Sequence, residues 1–450
     1  MLRKPGVTET LARHIVAMRW DDVPQQVRHQ AKRSLINFLA VTLAGCRSRP
    51  IEIARRLLAE FSGGRPVALI GHAERIDALS AAFLNAAAAN VDDFCDTHTA
   101  TVIHPTAPVA GALFSYAGLR PVSGSEFLLG LVLGNEVQAR IGLAMSPSHY
   151  NRGWHITSTC GVFGAAAACG KLAGLDERQM VWALGIAATQ SAGLCECLGT
   201  PAKSVSVGNA ARNGLWSALL AEKGYDGPAE PLAGVQGFYH ALVEQADFSC
   251  ITDGWGEGWA IMATCYKPYP CGFVIHPVLD CVLDWRRDHP KAEVVRVVVR
   301  GNPLLSVRAD RPNISTGREA QVSVQHAVAV ALLRGQAGLD QFTDACVRDP
   351  QVSNLRNKVE VVRDEHFSTV AAAFEITTVD GKNFKLEQPA ARGSDANPLS
   401  DHDLEEKLRA AASGWNPHYD ATPLIDAIWN VEASADVSGL AAMTSDMTCG

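Results

Sequence analysis

The 450-residue chain has no Lys/Arg block, and its formal net charge of −7 shows no basic bias, so a nucleic-acid partner is not expected. Long hydrophobic runs are also missing. The best of them, FLLGLVLGNEVQARIGLAM, is cut by Asn135, Glu136 and Arg140 before it reaches bilayer length, which excludes a membrane span there. The start, MLRKPGVTETLARHIVAM, has no apolar signal core or small-residue cleavage site, so no signal peptide and a cytoplasmic location are expected. Neither GxGxxG nor GxxxxGK[ST] occurs, which removes the usual nucleotide cradles. HExxH is absent as well. Twelve cysteines are present but form no CxxC pair. They sit among apolar or alanine neighbours (AAAACGK, LAGCRS, TDACVRD) and read as reduced, buried thiols rather than a disulfide framework. Cys195, Cys197 and Cys271 have no cluster-binding spacing that would support an iron–sulfur hydratase.

What is present is a soluble globular composition, 47% hydrophobic, in a chain long enough for two domains. From about residue 8 to 250 the apolar spacing is helical almost throughout, as in QVRHQAKRSLINFLAVTLAG, SEFLLGLVLGNEVQARIGLAM and DERQMVWALGIAATQSAG. Strand signals there are scarce, PVALIG being a short one. After Trp259 the character changes. EVVRVVVRG (293–301), KVEVVRD (358–364) and FEITTVDGKNFKLEQP (374–389) are rich in β-branched residues, and the last holds an Asp-Gly hairpin turn. Helices are expected at 276–288 and 318–335. The predicted fold is mainly α. An all-helical domain, 1–262, is completed by 395–435, a smaller α+β domain occupies 263–394, and 436–450 is a candidate disordered tail.

Three segments share a design: HPTAPVAGALFSYAGL with His104, WHITSTCGVFGAAAACGKLAG with His155, and TPAKSVSVGNAARNGLWSALL with Lys203. Each places a titratable residue and then hydroxyl side chains, read as N-caps, ahead of an Ala/Gly-rich helix. Helix starts expose N–H groups and the positive end of the dipole. Three such starts with their own His or Lys point to a pocket for a multiply charged anion. A fourth segment, CYKPYPCGFVIHPVLDCV, holds Lys267 in proline-stiffened backbone. The stretch DDFCDTHTATVIHP adds three aspartates and two histidines. Asp93, Asp96, His98 and His104 in it are of types that suit zinc or manganese, although no compact ligand motif supports a metal hydrolase.

Together DDFCDTHTATVIHPTAP, YNRGWHITSTCGVFGAAAACGKLAGL, GTPAKSVSVGNAARNGLWSALLA and YKPYPCGFVIHP resemble the MmgE/PrpD family, which includes 2-methylcitrate dehydratases, cis-aconitate decarboxylases and an iminodisuccinate epimerase. The resemblance runs from the first long helix to about residue 410. It implies a large helical domain plus a smaller α+β domain, a homodimer, a site in the cleft between domains, and no organic cofactor or iron–sulfur cluster; no metal is expected either. By the same resemblance Asp93 and Thr97 occupy the family's acidic-segment positions, and His104 and His155 match its two motif histidines. Lys203 and Lys267 match its active-site lysines, and Tyr150 stands where many members carry tyrosine. Two departures weaken a decarboxylase assignment: Gly272 replaces a histidine, with His276 matching a second one, and Arg308 aligns with a tyrosine.

The reactions of this family share proton removal beside a carboxylate, with the resulting enediolate-like charge stabilised by cations or donors. The expected catalytic set is Asp93, His104, His155, Lys203, Lys267 and Tyr150. The histidines carry protons near neutral pH, Asp93 orients a histidine or acts as base, and Tyr150 is the alternative acid. Thr97, Thr157, Ser158, Lys203, Lys267 and Arg308 are the expected substrate binders, with a small anionic polycarboxylate as partner. Dehydration of a 2-methylcitrate-like substrate is the first expectation, epimerisation the second and decarboxylation the third. A catalytically silent binding protein of the same fold is the alternative from another class.

Overall fold

A computed structural model describes residues 6–64 and 66–445. Backbone contacts separate two units. The larger holds the described residues up to Val91, then Cys95–Thr264 and those from Asp401 on; the smaller holds Asp92–Phe94 and Cys265–Ser400.

The larger unit is helical. Its principal members are α1 (Gln25–Gly45), α2 (Ala78–Val91), α3 (Thr106–Ala117), α4 (Gly124–Leu143), α5 (Ile156–Leu172) and α6 (Ala202–Glu222). The helix Asp401–Trp415 returns to pack on α1 after the smaller unit. Where the sequence supplies a capping box, the helix starts on it: Ser123 Oγ accepts from the Glu126 amide, and the Glu126 carboxylate accepts from the Ser123 amide at 3.0 Å. In α5 the run Ala165–Ala168 is fully buried, so neighbouring backbones approach closely. A Cβ built on Gly214 of α6 would lie 2.4 Å from Ala165 Cβ and 2.7 Å from Val162 O, so glycine is required at that crossing. The α5–α6 contact matters because these two helices carry His155 and Lys203 at their starts.

The residues that cut the apolar run of α4 have structural work. Gln138 Nε2 donates to Pro105 O at 2.8 Å and to Asn135 Oδ1 at 3.3 Å, and Asn135 Nδ2 donates to Thr106 Oγ1 at 3.4 Å, which fixes the start of α3. Glu136 and Arg140 form a buried ion pair at 2.5 Å. Its outer ends are satisfied by the Ala260 amide at 2.7 Å and by the carbonyls of Asp253 and Gly254. Removing one partner of such a pair costs about 3–5 kcal/mol, because the other is left buried and uncompensated.

The smaller unit is a four-stranded sheet with helices. Its strands are β1 (Val294–Gly301), β2 (Val359–Arg363), β3 (Ala372–Thr378) and β4 (Asn383–Gln388), in the order β2-β1-β3-β4. β1 runs parallel to β2 and antiparallel to β3, and the β3–β4 hairpin turns at the Asp-Gly pair. Helix α7 (His276–Asp288) packs on β3 and β4, and α8 (Val324–Arg334) on β2. Val297, Val299, Phe374, Ile376 and Trp285 form the core between them.

Three expectations need correction. The helix read over 318–335 is two, Gly317–Ala320 and α8, because Ser323 breaks the run and accepts from the His326 amide as a new cap. Asp92–Phe94, read as part of the helical domain, groups with the smaller unit, where Gln321 Nε2 donates to Asp92 O at 3.0 Å and Lys267 binds Asp93. The tail read as disordered from 436 carries a helix at Ser438–Ala442 with Leu440 and Ala441 buried, and Tyr419 OH donates to Met443 O at 2.9 Å. Its last five positions, 446–450, lie outside the described residues.

Among the described residues no helix is long and apolar enough to cross a membrane. All described cysteines are free thiols, and burial pushes those of Cys46 and Cys281 up to about 12.

Candidate active site

The hydroxyls expected to cap the three helix starts do not cap them. The N-cap positions are Pro105, His155 and Pro201, none with a side-chain cap bond, and the hydroxyls fall in the first turns instead. Thr157 and Ser158 meet neighbouring histidines instead, and Thr106 meets Asp96.

His155 is buried. Its backbone is fixed by a bridge between Trp154 and Leu194 and by its own amide, which donates to Gly193 O at 3.0 Å. Its Nδ1 lies 2.7 Å from Ser158 Oγ and 3.2 Å from Ser206 Oγ; the two hydroxyls are 2.6 Å apart. Ser206 Oγ in turn donates to the backbone carbonyl of Lys203 at 2.8 Å. Lys203 itself is buried in the first turn of α6, 4% exposed. A cation there adds to the positive end of the helix dipole instead of offsetting it, so the helix start is electropositive.

His104, half-buried before α3, is tied to the same region: its amide donates to Thr157 Oγ1 at 3.1 Å. Its Nδ1 is 2.7 Å from the backbone carbonyl of Asp96 and 3.2 Å from Thr97 Oγ1. A carbonyl only accepts, so Nδ1 carries the proton and Nε2 of the neutral ring carries the lone pair. Asp96 is fully buried, and Thr106 Oγ1 donates to its carboxylate. Burial pushes its carboxyl up to about 6, while the Thr106 bond works in the opposite direction. His98 is a different case. It is buried with Nδ1 2.8 Å from Thr101 Oγ1, and it holds the turn between His98 and Ile103.

Within the smaller unit, Lys267 is 2% exposed. Its Nζ donates to Asp93 Oδ2 and Asp93 O, both at 3.0 Å, and to Cys271 O at 3.2 Å. An ammonium has three protons, so in this arrangement all are committed within the chain. Asp93 has φ 51°, in the left-handed region, and so does Val102 with φ 55°. They are the two non-glycine residues with positive φ among those described, and both fall in DDFCDTHTATVIHP. Such backbone costs about 1–3 kcal/mol per residue and concentrates at functional segments. The Lys267 bonds to both the carbonyl and the carboxylate of Asp93 hold that strained residue in place.

The remaining candidates are placed as follows. Tyr150 is half-buried in a short helix, Ser148–Asn151, one turn ahead of His155. Arg308 is half-buried in the last turn of helix Pro303–Ala309. Thr157 and Ser158, expected to bind substrate, are buried with their hydroxyls engaged by His104 and His155. His276 is a buried packing residue whose ring lies 5.3 Å from Tyr269 and 5.0 Å from Phe273, with Nε2 3.3 Å from Cys271 O. At Gly272 a Cβ would meet Gln321 O at 3.8 Å and Ile275 Cδ1 at 3.9 Å, which is ordinary contact, so glycine is not sterically required. No group of three or more His, Cys, Asp or Glu among the described residues is arranged to hold a metal ion.

Sequence reading missed two residues. Ser206 lies inside a quoted motif, but nothing in KSVSVGNAA separates it from a helix-surface serine. Gly193 is far from the motifs; with φ 141°, a Cβ there would lie 2.8 Å from Ser158 Cβ and 3.4 Å from His155 Cβ.

Comparison with known proteins bears on this arrangement. Residues 9–251 match the MmgE/PrpD N-terminal domain and residues 269–432 the MmgE/PrpD C-terminal domain. The chain belongs to the MmgE/PrpD family. It is 28% identical to the cis-aconitate decarboxylase-like protein oryM of Aspergillus oryzae over 98% of this chain and 97% of that protein. It is 29% identical to cis-aconitate decarboxylase of Homo sapiens over 97% and 94% respectively. A mitochondrial 2-methylcitrate dehydratase of Yarrowia lipolytica is 25% identical over 57% of this chain and 52% of its own length. These MmgE/PrpD relatives are enzymes by name, and they differ in reaction.

Proposed function

We propose that this MmgE/PrpD chain is a cofactor-independent lyase that moves a proton at a carbon next to a carboxylate of a small di- or tricarboxylate, in the manner of a 2-methylcitrate dehydratase. The observation that carries the reading is the pair of helix-start histidines. His104 has its Nδ1 committed to a backbone carbonyl, and His155 has its own committed to a serine pair. An imidazole oriented in this way exchanges its working proton at Nε2. Lys203, buried in the first turn of α6, supplies the positive charge that a carboxylate and its enediolate-like intermediate require.

In this reading a C–H bond breaks, its electron pair enters the carboxylate-stabilised system, and the proton passes to one imidazole. The C–O bond then breaks, and the leaving hydroxide takes a proton from a second acid, His104, His155 or Tyr150, to depart as water. Asp93, held by Lys267, is an oriented carboxylate available as base or as a partner for a histidine. Thr97 hydrogen-bonds a substrate oxygen, and Arg308 clamps a further carboxylate.

Decarboxylation is the second reading. It is favoured by the name cis-aconitate decarboxylase on relatives similar over nearly the whole chain. There the C–C bond electrons stay on carbon as CO2 leaves, and an imidazolium protonates that carbon. An epimerase returning the proton to the opposite face is the third. The proposal carries the expectation of a homodimer, which light scattering on the purified chain measures. Incubation with 2-methylcitrate, citrate, cis-aconitate and iminodisuccinate, followed by NMR, separates the reactions: an alkene with loss of water supports the dehydratase, itaconate the decarboxylase, and stereochemical scrambling the epimerase. Inertness toward all four removes the lyase reading.

A further inference from the structure

We infer that Ser206 is a positioning residue that sets the tautomer of His155 through a directed chain of hydroxyls. The chain ends on the Lys203 carbonyl, which can only accept, so Ser206 donates to it at 2.8 Å. With its proton committed, Ser206 Oγ is the acceptor for Ser158, which donates to it across 2.6 Å. Ser158 Oγ then has only lone pairs to offer His155, 2.7 Å away, and Ser206 Oγ offers the same at 3.2 Å. Nδ1 of His155 therefore carries the hydrogen, and the lone pair of the neutral ring is on Nε2. When Nε2 takes a proton from carbon, the C–H electron pair stays with the substrate, the ring becomes imidazolium, and Nδ1–H keeps its bond. No proton moves along the serines.

This rests on the lyase reading for its kinetic half alone; the tautomer is measurable without turnover. Replacing Ser206 leaves the Ser158 hydroxyl with Nδ1 as its acceptor, so the ring switches to the Nε2–H form. Replacing Ser158 leaves Ser206 still accepting directly from Nδ1, so the tautomer survives. The test uses the full chain with 15N-labelled histidine, observed by two-bond proton–nitrogen correlation at a pH where imidazole is neutral, with His155→Gln to assign the signal. The expected result is Nδ1–H in the wild type and in Ser158→Ala, and Nε2–H in Ser206→Ala. On the substrate that the panel identifies, Ser206→Ala should lower kcat by about 10- to 100-fold, as loss of an orienting partner does. KM should change little, and Ser206→Thr should restore both signal and rate. A wild-type ring in the Nε2–H form overturns the inference, and so does a folded Ser206→Ala that keeps Nδ1–H. If the tautomers behave as stated while no polycarboxylate reacts, the relay stands and the lyase reading falls.

Discussion

His149 and His155 are six residues apart, both buried, and both bonded to a hydroxyl of α5, yet those bonds lead to different surroundings. His149 stacks on Trp154 with ring centroids 5.9 Å apart, and its Nε2 meets Thr159 Oγ1 at 2.8 Å. Burial, with Arg152 nearby, holds its pKa down at about 4, so it stays neutral through the physiological range. His155 meets Ser158, one residue earlier on the same helix, but that bond continues through Ser206 to the carbonyl of a buried lysine. Burial alone thus does not distinguish the two histidines. The difference is the network, which at His155 runs through two hydroxyls and ends on a backbone acceptor.

The sharpest way to break this contrast is substitution at both positions. His155→Gln and Lys203→Ala should each reduce kcat/KM by about 10²–10⁴-fold, the range lost with a general acid–base group or a charge stabiliser. His149→Gln should keep it within about tenfold per folded molecule. Similar losses at 149 and 155 would erase the distinction.

A second contrast is in stability. The folded-state pKa of His149 lies below its ordinary value of 6.5, so between pH 6.5 and 4 the unfolded chain binds the extra proton. Stability is full above about pH 6.5 and falls as pH drops toward 4. A shift of this size corresponds to about 3 kcal/mol. Denaturant melts across that window should show a flatter dependence by about this amount in His149→Gln than in the wild type.

Smaller effects follow. Gly193→Ala must place a Cβ against Ser158 and His155 from positive φ, and should cost about 1–3 kcal/mol in thermal or denaturant melts together with part of kcat. Arg308→Ala, if the arginine clamps a carboxylate, should raise KM about tenfold (about 1.4 kcal/mol) with kcat nearly unchanged.

Much of the fold could be read from pattern. The hairpin of β3 and β4 was visible because alternation and an Asp-Gly turn agree locally. The helix at 276–288 was visible because its apolar spacing is uninterrupted. The break at Gln321–Ser323 was hidden because all flanking residues suit a helix and only a cap distinguishes the two pieces. For the site, the residue types and helix starts were legible, but their bonds were not. Ser158, expected as a cap, meets the His155 ring instead because His155 occupies the cap position, and it is joined there by Ser206 from the second turn of α6. The bonds of Lys267 to Cys271 and to Asp93, 174 residues away in the chain, were not legible from the sequence. Gly193 acts through close approach alone, which leaves no local signature.

The most direct test of the central claim is solvent-deuterium incorporation. The wild-type chain, His149→Gln and His155→Gln would each be incubated in D2O with the polycarboxylate panel, and exchange at carbon beside a carboxylate followed by proton NMR. Exchange with at least one substrate in the wild type and in His149→Gln, lost in His155→Gln, is the predicted result. Exchange that persists unchanged in His155→Gln, or none with any substrate in the wild type, would contradict it.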